Sequence, residues 1–83
     1  MKYYTYVLQS EINGHFYKGS TQDLELRLKQ HNNGEVNYTS RYMPWKLVYF
    51  ETFATRSEAM RREKFFKSGK GREFIKRAID QSD

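Results

Sequence analysis

An α+β domain is predicted: a small three-stranded antiparallel sheet flanked by helices, in the order β-β-α-β-α-α. Three observations predict it. Runs rich in Tyr, Thr and Val alternate with runs that have helical spacing. Asn13-Gly14 is a strong turn signal between the first two strand-like runs. The 83 residues suffice for one hydrophobic core, hence for one domain over 1–83.

Tyr3 to Ser10 reads as the first strand and His15 to Gly19 as its return. A two-residue Asn13-Gly14 loop would set Ser10 opposite Tyr17, with Tyr17 on the sheet face of Leu8 and Tyr6. Ser20 and Thr21 offer N-caps to a helix over about Asp23 to Asn32, and Asp23 favours its first turn. Gly34 ends that helix, and Gly34 to Met43 reads as an irregular loop. Trp45 to Thr52 is the third strand. Thr55 and Glu58 have capping-box spacing for a second helix that reaches Lys67. Ser68-Gly69-Lys70-Gly71 breaks it, and a last basic helix follows from about Arg72 to Ile79. The core spans about 3–67 and the C-terminal basic helix about 70–80.

Composition narrows the function. Seven Tyr, six Phe and one Trp supply much of the apolar mass that a short chain needs. The absence of Cys excludes a disulfide framework and a thiolate nucleophile, and it disfavours zinc. A cytoplasmic location fits, since the N-terminus lacks the apolar run of a signal peptide and no stretch has the length of a membrane span. The net charge is +5, and Arg61 to Arg77 holds eight Lys or Arg against Glu63 and Glu73. Such clustering is the footprint of a polyanion partner, although a solvated helix surface is the commoner meaning of any one basic run.

Glu63 stands at helical spacing from Ala59, Met60 and Phe66, on what reads as the apolar stripe of the second helix. A carboxylate there must be paired, neutralised or holding a cation. Lys67, four residues on, offers the plain ion pair, worth only ~0.3–0.5 kcal/mol. Arg27 and His31 are four apart on the first helix, while Tyr6 and Tyr17 lie in strands. Together these residues suggest a metal-assisted phosphodiester site. Individually each has a structural reading: sheet aromatics for the tyrosines, a solvated Arg27, a core-edge His31.

In these residues the chain resembles the GIY-YIG nuclease superfamily, above all its small stand-alone bacterial members, which are related to the N-terminal domain of the excision-repair nuclease. Tyr4-Thr5-Tyr6 corresponds to the first name-giving tripeptide and Tyr17-Lys18-Gly19 to the second. Arg27 in DLELRLKQHN matches the helix arginine, and Glu63 in RSEAMRREKFFK matches the metal-binding glutamate. Tyr4 and Lys18 replace the family's Gly and Ile. Ser20 and Thr21 stand where many larger members carry a Lys.

The resemblance implies a metal-dependent DNA endonuclease of low sequence specificity or with selection by DNA structure, and a part in DNA repair. One Mg²⁺ or Mn²⁺ would be held by Glu63, which suffices for a hard ion that also takes phosphate and water. Arg27 would fork onto phosphate oxygens. His31, with an ordinary pKa of ~6.5, suits proton transfer or the orienting of a tyrosine. Tyr6, Tyr17 and His31 all stay open as the group that activates water. Lys18, Arg41, Arg61, Lys64, Lys67, Lys70 and Arg72 are the expected backbone contacts. Tyr38, Tyr42 and Trp45 could stack on bases, with a core role preferred for Trp45. The alternatives are a nucleic-acid-binding domain without turnover and, more distantly, a protein-interaction module. The five site residues are expected to meet on one shallow concave surface.

Overall fold

The computed structural model describes residues 1–80. Strand β1 (Tyr3–Ser10) forms the centre of an antiparallel sheet of order β2-β1-β3, between β2 (Phe16–Thr21) and β3 (Trp45–Phe53). Helix α1 (Leu24–Asn32) and a 3-10 turn (Thr39–Tyr42) precede β3, and α2 (Arg56–Phe66) and α3 (Gly69–Asp80) follow it. This is the expected α+β class and element order.

Alternation along β1 builds two cores, one on each side of the sheet. Tyr6, Leu8 and Trp45 are buried on the α1 side, with Tyr17, Leu24, Leu28 and Leu47 packed on them. Val7, Phe66 and Ile75 are buried on the α2–α3 side, with Phe16, Val48, Tyr49 and Phe74 around them. A β-bulge makes β3 serve both. Its register slips between Val7 and Leu8, so Leu47 faces Leu8 while Tyr49 faces Val7.

Four local expectations need correction. The hairpin loop holds four residues, not two: the Ser10 amide donates to the His15 carbonyl at 2.9 Å. Ser10 Oγ accepts from the Ile12 amide, and Asn13 Oδ1 accepts from the His15 amide, which stabilises the wider loop. Leu8, not Ser10, therefore faces Tyr17. The shift is of two residues, so Tyr17 keeps the predicted face. Second, Ser20 and Thr21 end β2, and Asp23 caps α1 by accepting from the Leu26 amide at 3.1 Å. Third, the break between α2 and α3 is confined to Lys67-Ser68, and Gly69-Lys70-Gly71 already forms the first turn of α3. Ser68 Oγ caps it at the Gly71 amide, 3.1 Å away. Fourth, Ala59 and Phe66 are buried as expected, but Met60 is 55% exposed and faces outward.

Candidate active site

Tyr6 lies at the centre of the candidate site. It is 2% exposed, and its ring crosses beneath β2 at Gly19, its cross-strand partner. A β-carbon on Gly19 would come within 2.5 Å of the Tyr6 hydroxyl oxygen. The second tripeptide therefore requires its glycine for a steric reason: the missing side chain is the space that the Tyr6 phenol occupies.

Helix α1 holds that phenol from the other side. Arg27 and His31, one turn apart, both reach it. Arg27 Nε donates to the Tyr6 hydroxyl at 3.4 Å, and the hydroxyl lies 3.0 Å from His31 Nε2. His31 Nδ1 lies 2.8 Å from Thr39 Oγ1, which donates its own proton to the Val36 carbonyl at 3.3 Å. The neutral ring has one donor and one acceptor nitrogen, so each of its two nitrogens finds a hydroxyl partner. Burial pushes the Tyr6 phenol up to about 12, against the hydrogen bond from Arg27. Burial, with the Arg27 charge second, pushes His31 down to about 4. Both side chains are neutral at pH 7, and both are closed off from water. The Arg27 guanidinium is held above its usual range, first by its bond to Tyr6. No carboxylate pairs with Arg27 among the described residues; its Nη1 donates to Gln30 Oε1 at 3.1 Å.

This arrangement has a measurable consequence for stability. His31 titrates lower in the folded chain than its ordinary ~6.5. Its stabilising contribution is therefore complete above pH ~6.5 and is lost as pH falls toward 4. Chemical denaturation should show wild type losing about 2–3 kcal/mol more than His31→Gln over that window. Identical pH slopes for the two proteins would refute the assignment of a buried neutral imidazole.

Tyr17 is the partly exposed phenol of the group. Its ring lies 4.9 Å from that of His31, 6.4 Å from Tyr6 and 5.9 Å from Tyr38. The Arg27 and Lys67 side chains both interact electrostatically with it.

Glu63 is carried by α2, so it approaches from the opposite side of the sheet to α1. It lies against β2, the edge strand of the sheet. Its Oε1 accepts from Ser20 Oγ at 2.9 Å and its Oε2 from Lys67 Nζ at 2.9 Å. Its side chain is 24% exposed, and its charge is felt at the Tyr6 phenol. The expectation of one shared concave surface is thus not met: four of the residues gather on the α1 side of β2, and Glu63 lies on its α2 side. The fully buried stripe expected for Glu63 is replaced by a rim position with an ion-pair partner.

The expected phosphate contacts divide. Lys18, Lys67 and Arg72 come together: their mutual repulsion, after burial, holds the Lys18 ammonium below its usual range. Arg61 lies on the far side of α2 beside Phe53, and Arg41 lies on the 3-10 turn beside Asn37. Lys64 and Lys70 are exposed elsewhere on the helices. Trp45 is 3% exposed and donates from Nε1 to the Thr39 carbonyl, so it is a core anchor with no face for a base. Tyr42 packs on the same core, and only Tyr38, 67% exposed, offers its ring to solvent. Sequence reasoning missed Ser20 and Thr39 as partners of the site. Both act through tertiary contacts that no local spacing signals.

A three-stranded sheet with two tripeptide tyrosines, a helix arginine and a rim glutamate is the layout of a GIY-YIG nuclease domain. The profile described as the GIY-YIG catalytic domain matches residues 2–76, and the chain belongs to this family. A UPF0213 protein of Bacillus licheniformis is 46% identical over 66 residues, which cover 78% of this chain and 67% of the relative. One of Streptococcus agalactiae is 45% identical over 65 residues, covering 77% and 73%. The solution structure of a UPF0213 protein from Bacillus halodurans superposes with a TM-score of 0.59 at 32% identity. It covers 99% of this chain and 89% of that one. Among the described residues, no helix is long and apolar enough to cross a membrane.

Proposed function

We propose that this chain is a metal-dependent DNA endonuclease that hydrolyses phosphodiester bonds with low sequence specificity or with selection by DNA structure. One observation carries the reading. A solvent-reaching phenol, Tyr17, stands between two cations, Arg27 and Lys67, with the Glu63 carboxylate alongside. A hydroxyl placed there can hydrogen-bond an attacking water and hold it beside the phosphate that the cations attract. Tyr6 and His31 are buried and act through others: His31 fixes Tyr6, and Tyr6 fixes Arg27. Arg27 then presents its permanent charge to a phosphate oxygen.

No cluster of three or more acidic, His or Cys ligands exists among the described residues. Glu63 is the one carboxylate at the site, which fits Mg²⁺ or Mn²⁺ held mainly by water and substrate phosphate. Lys67, exposed over 57% of its side chain, would swing off Oε2 to admit the ion. Such an ion would supply Lewis-acid stabilisation of the phosphoryl and leaving oxygens. A binding module without turnover is the second reading. It is favoured by the fact that both Glu63 oxygens already have protein partners.

Incubation with branched, nicked, single- and double-stranded DNA, with and without Mg²⁺ or Mn²⁺, separates the two. The expected result is cleavage that needs the metal. DNA affinity should fall with salt on a log–log slope of about −4 to −5 for roughly five phosphate contacts. Salt-sensitive binding with no cleavage of any substrate would establish the binding module instead.

A further inference from the structure

A second feature opens off the same edge strand. A cleft of about 560 Å³ runs along β2 between the loop bearing Tyr38 and the first turns of α3. Its volume lies in the range of small-ligand sites, ~300–1,000 Å³. His15, Lys18, Arg72 and Lys76 line it, and no carboxylate does. None of Lys18, Arg72 and Lys76 has an ion-pair partner among the described residues. Like charges gathered without counter-charge destabilise a fold unless an anion is bound there in function. Tyr38 supplies the other half of the cleft with an exposed ring, 5.9 Å from that of Tyr17.

We propose that this cleft receives one unpaired nucleotide of DNA next to the bond that is cut. Its base lies on Tyr38, and its phosphate lies among Lys18, Arg72 and Lys76. The inference rests on the endonuclease reading and names the substrate class: DNA with a single-stranded segment at the cutting point, such as a flap, tail or gap. Within a duplex a paired base has both faces covered by its neighbours in the stack, so away from a duplex end only an unpaired one can offer a face to Tyr38. Stacking tolerates any base, which agrees with a site that carries no base-reading amide or carboxylate in its lining. The tyrosine pair couples the cleft to the water-holding phenol, since Tyr38 and Tyr17 are ring neighbours.

The test measures binding in EDTA, so that cleavage plays no part. Fluorescence anisotropy compares a blunt duplex with the same duplex carrying a short single-stranded tail. The tailed DNA should bind about tenfold more tightly, the scale of one stacked base. Tyr38→Ala should abolish that preference and Tyr38→Phe should keep it, because the ring and not the hydroxyl provides the contact. Arg72→Ala and Lys76→Ala should each weaken binding and reduce the magnitude of the salt slope by about one. Equal affinity for blunt and tailed DNA, or a preference that survives Tyr38→Ala, would overturn the proposal. Either result would leave the catalytic reading untouched, because that reading fails only on the cleavage assay.

Discussion

Glu63→Gln and Arg27→Ala should each lower cleavage by two or more orders of magnitude. That is the loss expected when one preorganised electrostatic group is removed, about 2.7 kcal/mol or more of barrier. The amide introduced by Glu63→Gln would keep the shape of the carboxylate and can still accept from Ser20 Oγ, which now lies 2.9 Å from Oε1. It cannot supply an anionic ligand to a hard cation. The lost pairing with Lys67 is a partly exposed i,i+4 contact, so stability should change by less than about 0.5 kcal/mol. DNA binding should hold or improve, because removing a negative charge does not weaken attraction to phosphate. Calorimetry with Mn²⁺ supplies an independent readout, since the variant should lose the heat of ion binding. Arg27→Ala differs in one respect: it also removes a donor from the Tyr6 hydroxyl, so its loss combines charge with positioning. A Glu63→Gln protein that cuts as fast as wild type would sink the single-carboxylate metal site.

The sequence makes the secondary elements legible because their signals are local. Strand-forming runs, the Thr55 cap and the apolar spacing of Ala59 and Phe66 all act within a few residues. The errors arise where a side chain elsewhere decides. Ser10 Oγ donates to the Tyr42 carbonyl, 32 residues away, and also organises the hairpin loop, so the turn dipeptide does not set the register alone. The bulge between Val7 and Leu8 serves two cores at once and leaves no mark in the pattern of β3. The same distinction holds at the site. Arg27 and His31 are readable as a helical pair, and Glu63 as a carboxylate among apolar neighbours. That Glu63 arrives on the opposite side of the sheet depends on the packing of α2. The place of Tyr38 beside Tyr17 depends on how the loop after α1 docks. Asn32 fixes that docking by exchanging hydrogen bonds with the Trp45 backbone at 2.6 and 2.9 Å. Basic residues are the least legible. Net charge predicts that a polyanion binds, but the angular position of each Lys or Arg decides which of them can reach it. Arg61 on α2 and Lys67 at its C-cap point to different sides and illustrate the point.

Gly19→Ala should disable the site without touching any charged group. The added methyl would lie 2.5 Å from the Tyr6 hydroxyl oxygen and 2.7 Å from Cζ, both far inside van der Waals contact. Neither neighbour can yield freely. Gly19 is buried in a strand paired to Tyr6, and the Tyr6 ring is held by His31 and Arg27. Overpacking of this kind typically costs about 1–3 kcal/mol, which denaturant unfolding will register. The ring must also be pushed off β2 toward α1, which disturbs its contacts with Arg27 and His31. A displacement of about 1 Å at a positioned group can cost about a hundredfold in rate, so cleavage should fall by that order while DNA binding persists. The double variant Gly19→Ala, Tyr6→Phe separates the steric effect from a general weakening of β2. Deleting the hydroxyl removes the shortest contact, so the double variant should be more stable than the sum of the single losses by about 1 kcal/mol. Cleavage should not recover with it, because the Arg27 partner is then absent. Strict additivity would place the damage in the strand itself and would separate Gly19 from the orientation of Tyr6.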